Sequence, residues 1–235
     1  MITAIQEFQA QKISFAMLVR HMVQHEWLLP SIEEQPFLQQ IEDDLYLSIS
    51  TSREIFEKIH TDPEVKPIKK GFDWIFSNLP EDLAGILVDM KMEHAVQLPS
   101  QYFDFCKQII ACSKIETIFS QQISQEDLLE ALRSYSSYLL PIIRDEEGTA
   151  NIALAPDHQN RQLIAVFTAP DCFQAFQIAA EGKLGNLTVD EVSGEKLFAD
   201  LSQLPIDGVV FNCYGPVQPQ AIGKYLIDSL GSSPS

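Results

Sequence analysis

The feature that most constrains the fold is an internal repeat, because the second half of the chain carries the same order of apolar patterns as the first half. Residues 13–26 place apolar side chains three and four apart and run into Trp27-Leu28-Leu29-Pro30. Residues 123–137 do the same and run into Tyr138-Leu139-Leu140-Pro141. This spacing predicts an amphipathic helix, and the apolar run after it predicts a buried strand. A helix followed by a strand is therefore predicted twice.

Helix start signals support the same alignment. Ser14 and Ser124 precede the two helical patterns and are placed as N-caps, where a serine oxygen accepts a backbone N–H of the first turn. Later in each copy, Thr51 or Ser52 in the first and Thr168 in the second are placed to cap a further helix.

The remaining elements recur in one order. They are a strand that runs into a helix, a short extended piece, another helix, a strand introduced by glycine and a closing helix. The matched segments are 45–52 with 163–170, 65–67 with 187–189, the helix around Trp74 with that around Leu197, 84–89 with 207–212, and 99–111 with 218–230.

The repeat predicts two tandem domains, at about 1–119 and about 120–235. Strands that alternate with helices indicate the α/β (α+β) class, here two similar domains, each a small mixed β-sheet packed with helices. The boundary falls in a polar stretch around residues 120–122, and a hairpin strand is predicted at 151–155 of the second copy. We expect the two halves to superpose element for element.

The second copy resembles the SseB N-terminal domain family, named for a bacterial protein associated with enhanced serine sensitivity. The resemblance rests on the helix at 127–135, Leu139-Leu140-Pro141-Ile142, the strand and helix start at 165–170, and Gly208-Val209-Val210-Phe211-Asn212. The family commonly has Asn-Pro after the last strand, whereas here the proline is delayed to Pro216. The first copy is similar to a more diverged version. The resemblance implies a bacterial α/β domain with no established catalytic residues.

The charge of the chain restricts its partners. Thirty-three acidic and sixteen basic residues give a net charge of −17, which repels phosphate backbones and anionic lipid headgroups. Residues 1–119 hold 18 acidic and 10 basic residues, and 120–235 hold 15 and 6, so the charge is not confined to a tail. We therefore expect neither nucleic acid nor membrane as a partner, and a basic or amphipathic protein segment fits better.

The predicted compartment is the cytoplasm. Charged and amide side chains interrupt the first dozen residues, so the apolar core of a signal peptide is not seen there. No apolar run approaches the ~20 residues of a membrane span. The four cysteines, Cys106, Cys112, Cys172 and Cys213, lack Cys-x-x-Cys spacing and are interpreted as reduced core thiols.

Three patterns of chemical interest have a structural interpretation that we favour. His21 and His25 have the i, i+4 spacing of metal ligands, but without a third ligand they indicate a helix flank. The carboxylate groups 42–44 and 145–147 are interpreted as solvated turns. Residues 182–185, Gly-Lys-Leu-Gly, lack the spacing of a phosphate loop. We therefore predict no metal site and no cofactor.

Asn212 and Tyr214 form the one candidate binding site. They follow the apolar run Val209-Val210-Phe211, at the carboxyl end of a predicted central strand, where α/β sheets present loops to ligands. Gly215-Pro216 should fix the loop, with both side chains partly exposed on a rigid rim. The alternative is that Asn212 caps the turn and Tyr214 covers the edge of the core.

Two functions remain open from the sequence. The absence of catalytic motifs, the duplication and the charge favour a non-catalytic, cytosolic protein-interaction module with an acidic surface. The alternative is a small-molecule sensor or an enzyme with a site above the strand ends or between the domains. Whether the chain associates with itself is also left open.

Overall fold

The computed structural model describes residues 1–121, 123–144, 149–155, 159–181, 184 and 186–232. These residues separate into two units, Met1–Ile110 and Ala111–Ser235, each of the α+β class. The division lies inside a long helix, nine residues before the predicted boundary. Residues 145–148, where the sequence predicts a turn, and the last three residues of the chain lie outside the described residues.

The first unit alternates helices with short strands. In chain order its elements are α1 (Ile2–Gln9), α2 (Phe15–Val23), β1 (Glu26–Ile32), β2 (Gln35–Pro36), β3 (Leu38–Ile41), β4 (Asp44–Ile49), α3 (Arg53–Ile59), β5 (Lys66–Gly71), α4 (Phe72–Ser77), β6 (Leu83–Val88), β7 (Val96–Pro99), a 3-10 turn at Ser100–Tyr102 and the start of α5 (Phe103–Ile118).

The second unit begins within α5. Its further elements are α6 (Gln125–Ser134), β8 (Tyr138–Arg144), β9 (Ala150–Ile152), β10 (Leu163–Val166), α7 (Pro170–Ala180), β11 (Asn186–Val192), α8 (Gly194–Ser202), β12 (Gly208–Phe211), β13 (Gln220–Gly223) and α9 (Lys224–Gly231). Among the described helices, none is long and apolar enough to cross a membrane.

Strand pairing repeats between the units. In the first, β1 lies between β2 and β5, both antiparallel to it, and β4 pairs in parallel with β6, which is antiparallel to β7. In the second, β8 lies between β9 and β11, and β10 pairs in parallel with β12, which is antiparallel to β13. Matching antiparallel bridges join β1 to the residue after β4, Leu28 to Ser50, and β8 to the residue after β10, Leu139 to Phe167. The predicted repeat of element order is confirmed for these strands. The first unit also has β3, antiparallel to β4, where the described part of the second unit has the bridge Leu154 to Ile164.

The register of one matched segment differs from the prediction by one residue. The sequence comparison matched Ser50 with Thr168, whereas the bridges match Ser50 with Phe167 and therefore Thr51 with Thr168. The run 163–167 is buried throughout. Sliding an uninterrupted apolar run by one residue leaves its pattern unchanged, so the pattern could not fix the register.

The shared core explains why the matched helices and strands recur. Ser14 and Ser124 accept the N–H of the third helical residue, at 3.2 and 3.1 Å, as predicted. Trp27 and the matching Tyr138 are fully buried. Their polar atoms donate to the last turn of the preceding helix, Trp27 Nε1 to Met22 O at 3.0 Å and Tyr138 Oη to Leu132 O at 3.1 Å. Each aromatic residue thereby fixes the angle between helix and strand.

Several predicted elements need correction. The structure adds α1, β7 and β13, none of which the apolar pattern indicated, and α9 begins at Lys224, so the predicted helical segment 218–230 contains β13. Ser52 caps α3 through a 3.3 Å bond from Ile55 N, but Thr168 caps no helix, because Ala169 occupies the N-cap of α7. The side chain of Thr168 has another role, described below.

A glycine early in β6 and in β12, predicted to introduce each strand, is required there by close backbone approach; Gly208 begins β12, whereas Gly85 is the third residue of β6. A Cβ on Gly208 would lie 2.4 Å from Ile222 O, and one on the matching Gly85 would lie 2.8 Å from Leu98 O. Both oxygens belong to the backbone of the neighbouring strand, which cannot move without breaking the pairing.

We expect Gly208→Ala to lower the free energy of unfolding by about 2 kcal/mol, as overpacking in a rigid environment does. Gly223→Ala is the matched control, because a Cβ there meets nothing within 4 Å, and its effect should be small. Urea unfolding followed by circular dichroism measures both. Equal stability of the two variants would contradict the steric argument.

Candidate functional site

Asn212 holds together the carboxyl ends of the two parallel strands in the second unit. It follows β12, has a positive φ of 55° and is 2% exposed. Asn212 N donates to Val166 O at 2.9 Å, across the ends of β10 and β12. The Oδ1 atom of Asn212 accepts from Thr168 N at 2.9 Å, and its Nδ2 atom donates to Thr168 Oγ1 at 2.9 Å. All hydrogen-bonding groups of this side chain face the protein.

A half-buried carboxylate completes the network. Thr168 Oγ1 donates to Glu116 Oε1 at 3.0 Å, which leaves the lone pairs of the hydroxyl to accept from the amide of Asn212. Tyr135 Oη donates to Thr168 O at 2.6 Å, and burial raises the pKa of Tyr135 above its ordinary value, with the charge of Glu116 adding to the effect. The polar groups of this network are thus hydrogen-bonded to one another.

The first unit has the same hydrogen-bonded arrangement at its strand ends, made by different residues. Asp89 follows β6, has φ 48° and is fully buried, and its N–H donates to Ile49 O at 2.9 Å. Its carboxylate accepts from Thr51 N at 2.8 Å, from Thr51 Oγ1 at 2.7 Å and from His94 Nε2 at 2.9 Å. We call each arrangement, Asp89 with Thr51 and Asn212 with Thr168, a strand-end clasp.

The predicted site residues have separate surroundings. Tyr214 has φ 62° and is 56% exposed, with its ring centroid 6.4 Å from that of Phe176. The prediction that both side chains are partly exposed is therefore wrong for Asn212, whose side-chain amide is buried and hydrogen-bonded to Thr168 in the clasp. Pattern reasoning missed Thr168 and Glu116. The signal that could have shown the clasp is a threonine after β4 and after β10, matched with Asp89 after β6 or Asn212 after β12.

The second unit has a groove between its helices that the sequence did not indicate. It has a volume of about 570 Å³ and runs between α6, α8 and the end of α9. Leu129, Ala199 and Leu230 contribute apolar surface, and three glutamates, Glu126, Glu130 and Glu195, stand exposed along it. Arg133, also in the groove, donates to Leu230 O at 2.8 Å and so holds the end of α9. We call this the α6–α8 groove.

The first unit has a more polar pocket at the carboxyl end of β4. It has a volume of about 700 Å³, and its floor is the face of β1 and β5 opposite the buried side chains of Trp27 and Leu29. Its lining residues are Gln24, His25, Glu26, Leu28, Thr51, Ser52, Arg53, Pro67 and Lys69. We call this the β1–β5 pocket.

The other sequence candidates are not brought together. α2 ends at Val23, so His25 lies beyond the helix and bonds Thr51 O at 3.1 Å, while His21 is exposed. In the part of the chain that the structure describes, no group of His, Cys, Asp and Glu side chains could hold a metal ion. The carboxylates at 42–44 are exposed, whereas those at 145–147, and residues 182, 183 and 185, lie outside the described residues.

The cysteines are confirmed as buried free thiols. Desolvation raises the pKa of Cys106 to about 12 and that of Cys213 to about 11. A raised pKa keeps these two thiols protonated near neutral pH, which disfavours nucleophilic chemistry because the thiolate is the reactive form.

Comparisons with known proteins place this chain in no family. No family model matches it, and no curated protein matches it. Among solved structures, Anabaena Tic22, a structure titled protein transport, is similar at 10% sequence identity over 82% of this chain and 88% of that one, with a TM-score of 0.24. A TM-score this low supports no inference about fold or function. The resemblance to the SseB N-terminal domain stays a prediction.

Replacing Asn212 and, separately, Tyr214 should show which of the two side chains stabilises the fold. We expect Asn212→Ala to lower the free energy of unfolding by about 3 kcal/mol, because it leaves the buried Thr168 N–H without its acceptor and places alanine at positive φ. Asn212→Gly removes only the side-chain bonds and should cost about 1 kcal/mol less. Tyr214→Ala should change stability by at most about 0.5 kcal/mol. Urea unfolding measures all three, and a neutral Asn212→Ala would exclude the clasp as a structural device.

Proposed function

We propose that the protein is a non-catalytic, cytoplasmic protein-interaction module that binds a basic or amphipathic protein segment, with the α6–α8 groove as its binding surface. The observation that carries the proposal is the combination of apolar surface and negative charge in one groove. Leucine and alanine side chains lie in it, and three glutamates stand along it. An amphipathic helix with a cationic flank complements both features.

The charge of the whole chain favours the same class of partner. At −17, the protein attracts cationic segments over about a Debye length and repels nucleic acid and anionic membranes. Acidic groups near a groove raise association rates more than they raise affinity, so the interaction should be fast and sensitive to salt. Whether two copies of the chain also associate is a separate question.

A non-catalytic role agrees with how the strand ends are used. In many α/β proteins the loops after parallel strands carry reactive side chains. Here the polar groups at those positions, Asp89 with Thr51 and Asn212 with Thr168, bond one another inside the protein. A side chain committed in this way supports the fold and contributes little to substrate binding.

The test uses an 18-residue peptide of leucine and lysine at helical spacing, labelled for fluorescence anisotropy. Replacing the groove glutamates in Glu126→Gln/Glu130→Gln/Glu195→Gln should weaken its binding roughly tenfold at low salt, with a smaller difference as salt rises. The matched control is Glu42→Gln/Asp43→Asn/Asp44→Asn, which removes the same charge from an exposed turn of the first unit.

The control should change peptide affinity less than about twofold, because the removed charges are not among the residues that line the groove and are screened by salt. Equal losses for the two triple variants would mean that the peptide responds to net charge alone, and the groove would be rejected as the binding surface. Circular dichroism and urea unfolding of both variants establish that they remain folded.

A small-molecule sensor or an enzyme is the second candidate function, and one observation favours it. The β1–β5 pocket lies at the carboxyl end of β4, the position where α/β sheets hold ligands, and polar side chains of β1, β5 and the start of α3 line it.

A further inference from the structure

We infer that the β1–β5 pocket binds a small organic anion that carries carboxylate or phosphate groups, an inference that rests on the second candidate function above. The pocket gathers two cationic side chains, Arg53 and Lys69, and the imidazole of His25, with Glu26 as the one carboxylate among its lining residues. In a chain with twice as many acidic as basic residues, a pocket with more cationic than anionic side chains is unexpected by composition.

The second unit provides an internal control for this inference. Strand register matches Lys69 with Glu191, because they face Leu28 and Leu139 at equivalent positions. By the same alignment His25 corresponds to Ser136 and Arg53 to Pro170. The domain therefore folds with other side chains at these three places, so the fold does not require His25, Arg53 and Lys69 in the first unit.

The carboxylates now beside these cations are weak competitors. Arg53 Nε lies 2.9 Å from Glu57 Oε1, with side chains 77% and 64% exposed, and Lys69 Nζ lies 3.3 Å from Glu26 Oε2, with side chains 68% and 73% exposed. Exposed ion pairs contribute little free energy, so an incoming anion can replace either carboxylate at small cost.

The side chains that line the pocket can bind both an oxyanion and the carbon skeleton that carries it. The guanidinium of Arg53 presents several donors in a planar fork that matches carboxylate or phosphate oxygens, and Lys69 adds a point charge from the adjacent strand. The Ser52 hydroxyl oxygen accepts from Ile55 N, which leaves its proton to donate. Leu28 and Pro67 give apolar surface for a carbon skeleton. A volume of about 700 Å³ admits a molecule larger than a free phosphate ion.

Amide NMR of the full chain, at constant ionic strength in Bis-Tris buffer, tests the inference with four probes: citrate, inorganic phosphate, glucose and putrescine. We expect citrate to shift the amide signals of Thr51, Ser52 and Arg53 saturably, with phosphate weaker. Arg53→Gln/Lys69→Gln should weaken citrate binding at least tenfold. The control Lys58→Gln/Lys91→Gln removes the same charge outside the pocket and should change it less than twofold.

The other outcomes are decisive. Saturable shifts with glucose or putrescine alone would keep a small-molecule site and overturn the anion. Equal weakening by both double variants would show that citrate responds to general charge, which also overturns it. If none of the four probes shifts these signals while both variants keep the native circular dichroism spectrum, the pocket is rejected as a site for molecules of these classes and the second candidate function loses its supporting observation. The peptide experiment on the α6–α8 groove is independent of all these results.

Discussion

The strand-end clasp is the interaction on which each unit depends. Each unit has one pair of parallel strands, β4 with β6 or β10 with β12, and a long crossover connects the two strands of the pair. The hydrogen bonds between parallel strands do not by themselves determine where the chain leaves the sheet. In each unit one buried side chain, Asp89 or Asn212, bonds both the backbone and the hydroxyl of the threonine that follows the other strand. Both residues adopt positive φ, which asparagine and aspartate tolerate better than most residues. The clasp thus sets the exits of both strands.

The choice between carboxylate and amide follows from the number of donors at each clasp. In the first unit three donors converge, Thr51 N, Thr51 Oγ1 and His94 Nε2, and an acceptor-only carboxylate takes all three. In the second unit the Thr168 hydroxyl lies 3.0 Å from Glu116 Oε1 and donates to it, so the clasp residue donates to the hydroxyl oxygen while it accepts from Thr168 N. An amide does both. The two units therefore satisfy the same buried backbone arrangement with different side chains, Asp89 in one and Asn212 in the other.

Much of the fold was predictable because duplication made each pattern readable twice. The order of helices and strands and the glycine early in β6 and β12 follow from periodicity and spacing. The short strands β7 and β13 were not predictable, since four residues carry too little period to be distinguished from the start of a helix. For the site, the position of Asn212 after β12 was correct and its exposure was wrong. Burial of an amide depends on Thr168, which is 44 residues away in sequence, and no local pattern records that contact.

Divergence between the two copies is where functional information lies. Positions with the same residue type in both copies, such as Ser14 and Ser124, serve the shared fold. Where the charge changes between the copies and the backbone structure does not, the fold does not require a particular side chain. Lys69 and Glu191 occupy one register position with opposite charge. The charge at this position is therefore opposite in the two units, although the strand pairing around it is the same. The clasp keeps a common scaffold in both units, so a surface charge of this kind can change between the copies without altering the strand order.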